Sequence, residues 1–369
     1  MKEAKMYKFI ISGGGTGGHI FPAIAIANEL KRQLPDCEIL FVGALGKMEM
    51  DKVPAAGYRI IGLPIAGLTR SLTLKNLAVP FKLLKSLRMA NKIIRDFKPS
   101  VVIGVGGYAS SAVLYAASQS NIPTLIQEQN SLPGITNKFL SKRVNRICVA
   151  YSGLEKYFPA NKIVFTGNPV RHDITQITTT REAVLQQWGI ANNKTVVLVV
   201  GGSLGASSIN NTLAKHVADF QKNDTVLIWQ TGQSTYSNAV QAAIGFESHV
   251  LVKAFIKEMD WAYTAADVVI SRAGALAVSE LCIVGKPCIL VPYPHASEDH
   301  QTVNAKSLEV KNAAWVIADQ DLDAELMPKL KLLIENENVR QEMTTNIKKL
   351  AKPNASAEIV KQILELIEK

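Results

Sequence analysis

Residues 9–22 read Phe9-Ile10-Ile11-Ser12-Gly13-Gly14-Gly15-Thr16-Gly17-Gly18-His19-Ile20-Phe21-Pro22, and the reading of this stretch decides the fold. The β-branched apolar run from Tyr7 to Ile11, cut off by glycine, predicts a buried strand. Ala23 to Leu34 predicts a helix, with Pro22 in its first turn, where no N–H is needed. Glycine between strand and helix lets the backbone take positive φ and lets a ligand approach closely. The helix N-terminus behind the turn offers N–H groups and partial positive charge, which suits a diphosphate or a developing oxyanion. His19 falls at the edge of the turn, where a base would meet a substrate.

Gly13, Gly15 and Gly18 also satisfy G-x-G-x-x-G, so a nicotinamide or flavin nucleotide fold is an alternative. That fold needs an acidic residue about 20 residues on, at the end of the second strand, to hold a ribose. Here the second strand runs from about Glu38 to Val42, and Gly43-Ala44-Leu45-Gly46 follows without an acid. No Lys-Ser/Thr pair follows the glycines, which excludes a Walker-type loop. Taken alone, the turn stays open between a tight connection and a ligand cradle.

A chain of 369 residues suits two domains of ordinary size. No apolar run reaches the roughly 18 residues needed to span a bilayer. Met1 to Lys5 lead straight into the first strand, which leaves no room for a secretory signal and predicts a cytosolic protein. Cys37, Cys148, Cys282 and Cys288 lack C-x-x-C spacing, so they read as buried thiols in a reducing compartment. The net charge of +10 is unevenly spread. Residues 1–169 hold 22 Lys/Arg against 9 Asp/Glu, and the remainder holds 19 against 22. That asymmetry predicts an anionic partner for the first half, a membrane surface or a nucleic acid. The basic residues lack interleaved aromatic platforms, which weakens the nucleic-acid option.

Strands are expected at Lys8–Ile11, Glu38–Val42, Tyr58–Ile61, Val101–Val105, Thr124–Gln127, Arg146–Val149 and Ile163–Thr166, alternating with helices. Gly167-Asn168-Pro169 reads as a break and a candidate interdomain hinge. The pattern restarts with Thr195–Val200, Val226–Gln230, Val250–Val252, Val268–Ile270, Pro287–Val291 and Ala313–Ile317. The fold class is therefore α/β, with two doubly wound Rossmann-like domains of parallel strands facing one another across a cleft. Three more strands run into glycine and then a helix, at Val105-Gly106-Gly107, Val200-Gly201-Gly202 and Ser271-Arg272-Ala273-Gly274. Four such junctions, split between two domains, argue for a site rather than for scattered turns.

From Arg70 to Lys98 eight Lys/Arg face the single acid Asp96, with Leu72, Leu74, Leu77, Val79, Phe81, Leu83, Leu84 and Leu87 between them. That is more apolar surface than one core-facing stripe requires. The segment reads either as a helix packed on the sheet or as a basic apolar patch resting on anionic lipid.

The motifs GGGTGGH (13–19), GVGGYAS (104–110), QEQNSLPG (127–134), GNPVR (167–171), GGSLGA (201–206) and SRAGALAVSE (271–280) together resemble glycosyltransferase family 28. The resemblance covers essentially the whole chain, in order. It implies the GT-B fold, with residues 1–169 and the C-terminal helix, within 353–369, forming an acceptor and membrane-associating domain. Residues 170–352 would form the donor domain. It implies an inverting transfer of N-acetylglucosamine from UDP-N-acetylglucosamine to the muramoyl 4-hydroxyl of undecaprenyl-diphospho-muramoyl-pentapeptide, a step of peptidoglycan synthesis.

By that resemblance Arg171 and Ser203 would sit on the donor diphosphate, where a guanidinium and a hydroxyl both suit phosphate oxygens. Ala275, Leu276, Ala277, Val278, Ser279 and Glu280 would open a helix toward the departing UDP, with Glu280 accepting the ribose hydroxyls. Ile256 would read uracil through its backbone, and Gln301 with Asn304 would hold the sugar hydroxyls. Thr16, Gly17 and Gly18 would meet a diphosphate of donor or acceptor. Gly15, Tyr108, Glu128 and Asn137 would line the acceptor pocket, with Asn130 shared between acceptor and donor. His19 is the expected base, since an imidazole titrates near pH 6.5, and Glu128 is the reserve base or the group that orients it. No cofactor or metal is expected, because helix N-termini and Arg171 can absorb the charge of UDP. The patch within 70–98 would hold the protein on the cytoplasmic face of the inner membrane. Other cell-wall synthesis proteins are possible partners, and no nucleic acid is expected. Two positions depart from the family, Gln127 where many members have His and Ala277 where a hydroxyl often assists the phosphates.

Overall fold

The computed structural model describes residues 6–65, 79–202 and 204–368, which form two compact units. Unit 1 is Met1–Val170 with Asn354–Lys369, and unit 2 is Arg171–Pro353. Unit 1 holds the strands β1 (Lys8–Gly13), β2 (Glu38–Ala44), β3 (Arg59–Leu63), β4 (Val101–Gly106), β5 (Thr124–Glu128), β6 (Arg146–Val149) and β7 (Ile163–Phe165). They form a sheet of order β3-β2-β1-β4-β5-β6-β7, every pairing parallel. Unit 2 repeats the plan with β8 (Thr195–Val200), β9 (Thr225–Gln230), β10 (Val250–Lys253), β11 (Val268–Ser271), β12 (Cys288–Leu290) and β13 (Trp315–Val316). Their order is β10-β9-β8-β11-β12-β13, again parallel throughout. Both sheets are doubly wound, as expected, and their central strands, β1, β4, β5, β8, β9 and β11, are buried almost throughout, as parallel strands covered on both faces require.

Each strand order reverses once, between β1 and β4 in unit 1 and between β8 and β11 in unit 2. Connections leave for opposite faces at such a point, so a crevice opens at the carboxyl ends of the two strands. All four strand–glycine junctions fall at these two reversals, which is why they gather into one site per unit.

The core of unit 1 lies on both faces of its sheet. On one face Phe9, Ile11, Phe41 and Val105 pack with Ile20, Ile26 and Leu30 of the helix Gly17–Gln33. The C-terminal helix Ala355–Leu364 closes that face with Ile359, Val360 and Ile363. The four cysteines are free and buried, and burial pushes the thiols of Cys148 and Cys282 up to about 12. Such thiols carry almost no thiolate at neutral pH and are chemically quiet.

Two local expectations need correcting. The first helix begins at Gly17, six residues early, so Pro22 lies inside it and His19 belongs to its first turn. Gly17 and Gly18 accept helical backbone as readily as a turn, and the amides of His19 and Ile20 already bond the Thr16 carbonyl. The helix expected over Ser207 to Phe220 is two, Ser207–Ala214 and Val217–Lys222. The amides of Lys215 and His216 bond back three residues and tighten the first of these to a stop. The candidate hinge at 167–169 lies just before the boundary between the units, and Asn168 is anchored in unit 1. It is buried, donates to the Gln129 carbonyl at 3.0 Å and accepts from the Gln127 carboxamide at 3.0 Å.

Candidate active site

In unit 1 the turn after β1 lies against the turn after β4. Gly15 has φ +87°, while Gly14 and Gly107 are glycine for want of space. A Cβ on Gly107 would lie 2.5 Å from the Gly14 carbonyl oxygen. His19 Nδ1 is 3.0 Å from that same carbonyl, and its ring packs over Gly106. A carbonyl can only accept, so Nδ1 carries the proton and Nε2 is the basic nitrogen. Thr16 does not cap the helix with its side chain, and Gly15, Thr16 and Gly18 are exposed. The helix end therefore faces solvent with its first amides uncapped.

Beneath this turn stands a residue that the sequence did not suggest. Glu49 is 0% exposed, and its two oxygens accept from the amides of Gly15 and Ala44, each at 2.9 Å. It comes from the helix Glu49–Ala55, and only the glycines at 14 and 43 leave room for it.

Glu128 ends β5 and is 1% exposed. Its carboxylate accepts from the Asn130 amide at 3.0 Å, the Gly134 amide at 3.2 Å and the Asn137 carboxamide at 2.8 Å. Burial raises its pKa, and these hydrogen bonds oppose the rise. Glu128 thus closes the loop 129–137 on itself. Asn137 is buried with it rather than lining an open pocket. Gln127 is fully buried too, bonded to Asn168 and Gln129. Tyr108, by contrast, is 56% exposed at the start of the helix Tyr108–Gln119.

In unit 2 the turn Gly201–Gly205 follows β8, and the helix Ala275–Val284 follows β11. That helix starts after Gly274, which has no side chain to cap it, and no acid lies in its first turn to offset the positive end of its dipole. Burial raises the pKa of the Glu280 carboxyl, and the nearby Arg171 guanidinium opposes the rise. The Tyr263 hydroxyl donates to Glu280 Oε2 at 2.9 Å. Glu280 is therefore a held acceptor rather than a loose surface acid. Arg272 ties the unit together, bonding the Val291 and Pro292 carbonyls at 3.2 Å, Ser208 at 2.8 Å and Asp319.

Residues 9–149 match the glycosyltransferase family 28 N-terminal domain, and residues 196–362 match the family's C-terminal domain. The chain belongs to glycosyltransferase family 28. A relative from Parabacteroides distasonis is 50% identical over 366 residues, covering 99% of this chain and 100% of the relative. One from Flavobacterium psychrophilum is 50% identical over 364 residues, with 99% of each covered. Both are named UDP-N-acetylglucosamine–N-acetylmuramyl-(pentapeptide) pyrophosphoryl-undecaprenol N-acetylglucosamine transferase. The crystal structure of Acinetobacter baumannii MurG is 31% identical with a TM-score of 0.79, over 97% of this chain and 99% of that one. A Neisseria meningitidis UDP-GlcNAc 2-epimerase, 16% identical with a TM-score of 0.67 over 98% and 100%, shares the fold. The two sheets are those of GT-B.

Seen as a family 28 chain, the expected donor residues divide. Arg171, Glu280 and the helix start from Ala275 through Leu276 and Ala277 to Val278 do gather in unit 2. The Ser279 hydroxyl bonds the Ala275 carbonyl at 2.9 Å, inside its own helix. Asn304 is fully buried with its carboxamide toward the Ala273 carbonyl. The Ile256 amide donates to Gln230 Oε1 at 2.9 Å, and Gln301 accepts the Tyr293 amide at 2.9 Å. Ser203 lies outside the described residues, as do 70–78 of the basic apolar segment. Sequence reading missed Glu49, Gln230 and Tyr263. For Glu49 the one available signal was the pair of glycines, at 14 and 43, that it needs.

Proposed function

We propose that this chain transfers N-acetylglucosamine from UDP-N-acetylglucosamine to the 4-hydroxyl of the muramoyl sugar of undecaprenyl-diphospho-muramoyl-pentapeptide, giving the lipid-linked disaccharide precursor of peptidoglycan. The observation that carries the reading is the cluster in unit 2. A helix start with no acid in its first turn stands with Arg171 and a Glu280 held by Tyr263, in a chain half identical to relatives named for this reaction. The helix end and Arg171 take the charge of the departing UDP without a metal. Among the described residues, no group of His, Cys, Asp and Glu is arranged to hold a metal ion. Glu280 accepts the ribose hydroxyls, and Gln301 meets the sugar. The Ile256 amide reaches uracil once Gln230 lets it go. In unit 1 Gly15, Thr16, Gly17, Gly18, Tyr108 and Asn130 receive the acceptor, and His19 Nε2 removes the proton from its 4-hydroxyl. One in-line displacement then inverts the anomeric centre.

The acceptor is a membrane lipid, so the enzyme works as a peripheral protein on the cytoplasmic face. In support, the helix Val79–Phe97 buries Ala90 and Ile94 but leaves Phe81 78% exposed, with Leu83, Leu84, Lys82 and Lys85 also exposed beside it. Each Lys or Arg adds about 1 kcal/mol at an anionic surface. No helix among the described residues is long and apolar enough to cross a membrane. Phe81→Ser with Leu84→Ser should release the protein from anionic vesicles in a sedimentation assay.

The deciding test is transfer of labelled N-acetylglucosamine to a short-chain lipid-diphospho-muramoyl-pentapeptide, with and without EDTA. His19→Ala should lose about 10²–10⁴ in turnover with UDP binding retained, and Glu280→Ala should weaken UDP binding. UDP release at full rate without acceptor would sink this reading in favour of an epimerase.

A further inference from the structure

Glu49 and His19 hold opposite ends of one peptide group. The amide of Gly15 donates to Glu49 Oε2 at 2.9 Å, and the carbonyl of Gly14, in the same peptide plane, accepts from His19 Nδ1 at 3.0 Å. We infer that Glu49 is a positioning residue for the transfer reaction, orienting and polarising the Gly14–Gly15 peptide so that His19 keeps its proton on Nδ1 and offers Nε2. The inference rests on the reading of His19 as the base.

Three features make the arrangement a built one. Glu49 is wholly buried, and its second oxygen is tied to the Ala44 amide at the end of β2, so it cannot swing away. A Cβ at Gly14 would stand 2.1 Å from Glu49 Oε1, and one at Gly43 would stand 2.5 Å from Glu49 Cγ. From the other side Gly107 closes on the Gly14 oxygen. Rotating the peptide would break both hydrogen bonds and bury an amide against an imidazole N–H. Hydrogen bonds in series polarise one another, so a carboxylate on the N–H end strengthens the carbonyl as an acceptor. As the ring takes a second proton, Nδ1–H bonds more strongly to that carbonyl. A carboxylate beside a catalytic imidazole acts likewise, except that here a peptide plane lies between them.

The test uses the full chain and the lipid-acceptor assay. Glu49→Gln keeps the shape but offers one oxygen to two amides. It should lower kcat about 10–100-fold, with KM for UDP-N-acetylglucosamine and the melting temperature nearly unchanged. Combined with His19→Ala it should add no further loss, because both act through one proton transfer. Losses that multiply, or a Glu49→Gln enzyme at full kcat beside an inactive His19→Ala, would overturn the positioning role alone. A His19→Ala enzyme at full turnover would overturn the base reading and this inference with it. Should Glu49→Gln not fold, the unaltered protein still decides the matter by ¹⁵N NMR, with the His19 signals assigned by their loss in His19→Ala. The Nδ1–H tautomer is expected at neutral pH, and the Nε2–H tautomer would refute the relay.

Discussion

The turns after β1 and after β8 occupy the same place in their sheets, and both are built from glycine, but they rest on different supports. Under the first lies the carboxylate of Glu49, which takes the Gly15 amide for itself. Under the second lies the neutral carboxamide of Gln230, which donates to the Gly202 carbonyl at 3.2 Å and accepts the Ile256 amide. Glu49 fixes the peptide whose carbonyl His19 bonds, whereas Gln230 holds the backbone amide of Ile256. The contrast is consistent with the nucleotide belonging to unit 2 and with a proton-transfer site in unit 1. Equal glycine content therefore does not mean equal chemistry.

The sharpest way to break the comparison is to crowd both turns with a methyl group. Gly205 has φ +82°, and a Cβ there would stand 2.0 Å from the Thr231 carbonyl oxygen. Gly205→Ala should cost about 3 kcal/mol or more. Gly15 has φ +87° with nothing within 4 Å of a Cβ. Gly15→Ala should cost only the left-handed strain, about 1–2 kcal/mol. Urea denaturation of the two variants checks the ranking. Next comes the support itself. Gln230→Ala strands the Gly202 carbonyl and the Ile256 amide, and should cost about 2 kcal/mol of stability in the same urea series. Tyr263→Phe is milder. It removes one donor from Glu280, for about 1 kcal/mol, and should raise the UDP dissociation constant several-fold.

The smallest effect is one of pH. Burial raises the carboxyls of Glu128 and Glu280 above the ordinary value of 4.5, so the folded chain holds those protons more tightly than the unfolded chain. Stability from these two groups is therefore greatest below 4.5 and falls as pH climbs from there through the raised values. Glu128→Gln removes one share, so the variant's stability relative to the parent should improve steadily with pH in a urea series. A constant difference would show that the Glu128 carboxyl is not raised.

How far the chain was legible follows from the range of each interaction. The central strands could be read because burial on both faces demands unbroken apolar runs, and glycine follows β1, β4 and β8. The start of the first helix was misjudged because Gly17 and Gly18 serve a turn and a helix equally well. Arg171 and Glu280 were found through family motifs, whereas Tyr263, which holds Glu280, lies 17 positions away in no motif.

From the order of residues alone come the two doubly wound sheets, their glycine junctions and the imidazole at position 19, since these depend on local periodicity and backbone freedom. Which polar groups lie under those junctions had to await the packed chain. Glu49 reaches Gly15 across 34 residues and Gln230 reaches Ile256 across 26, and parallel sheets bring such partners together only after intervening helices have docked.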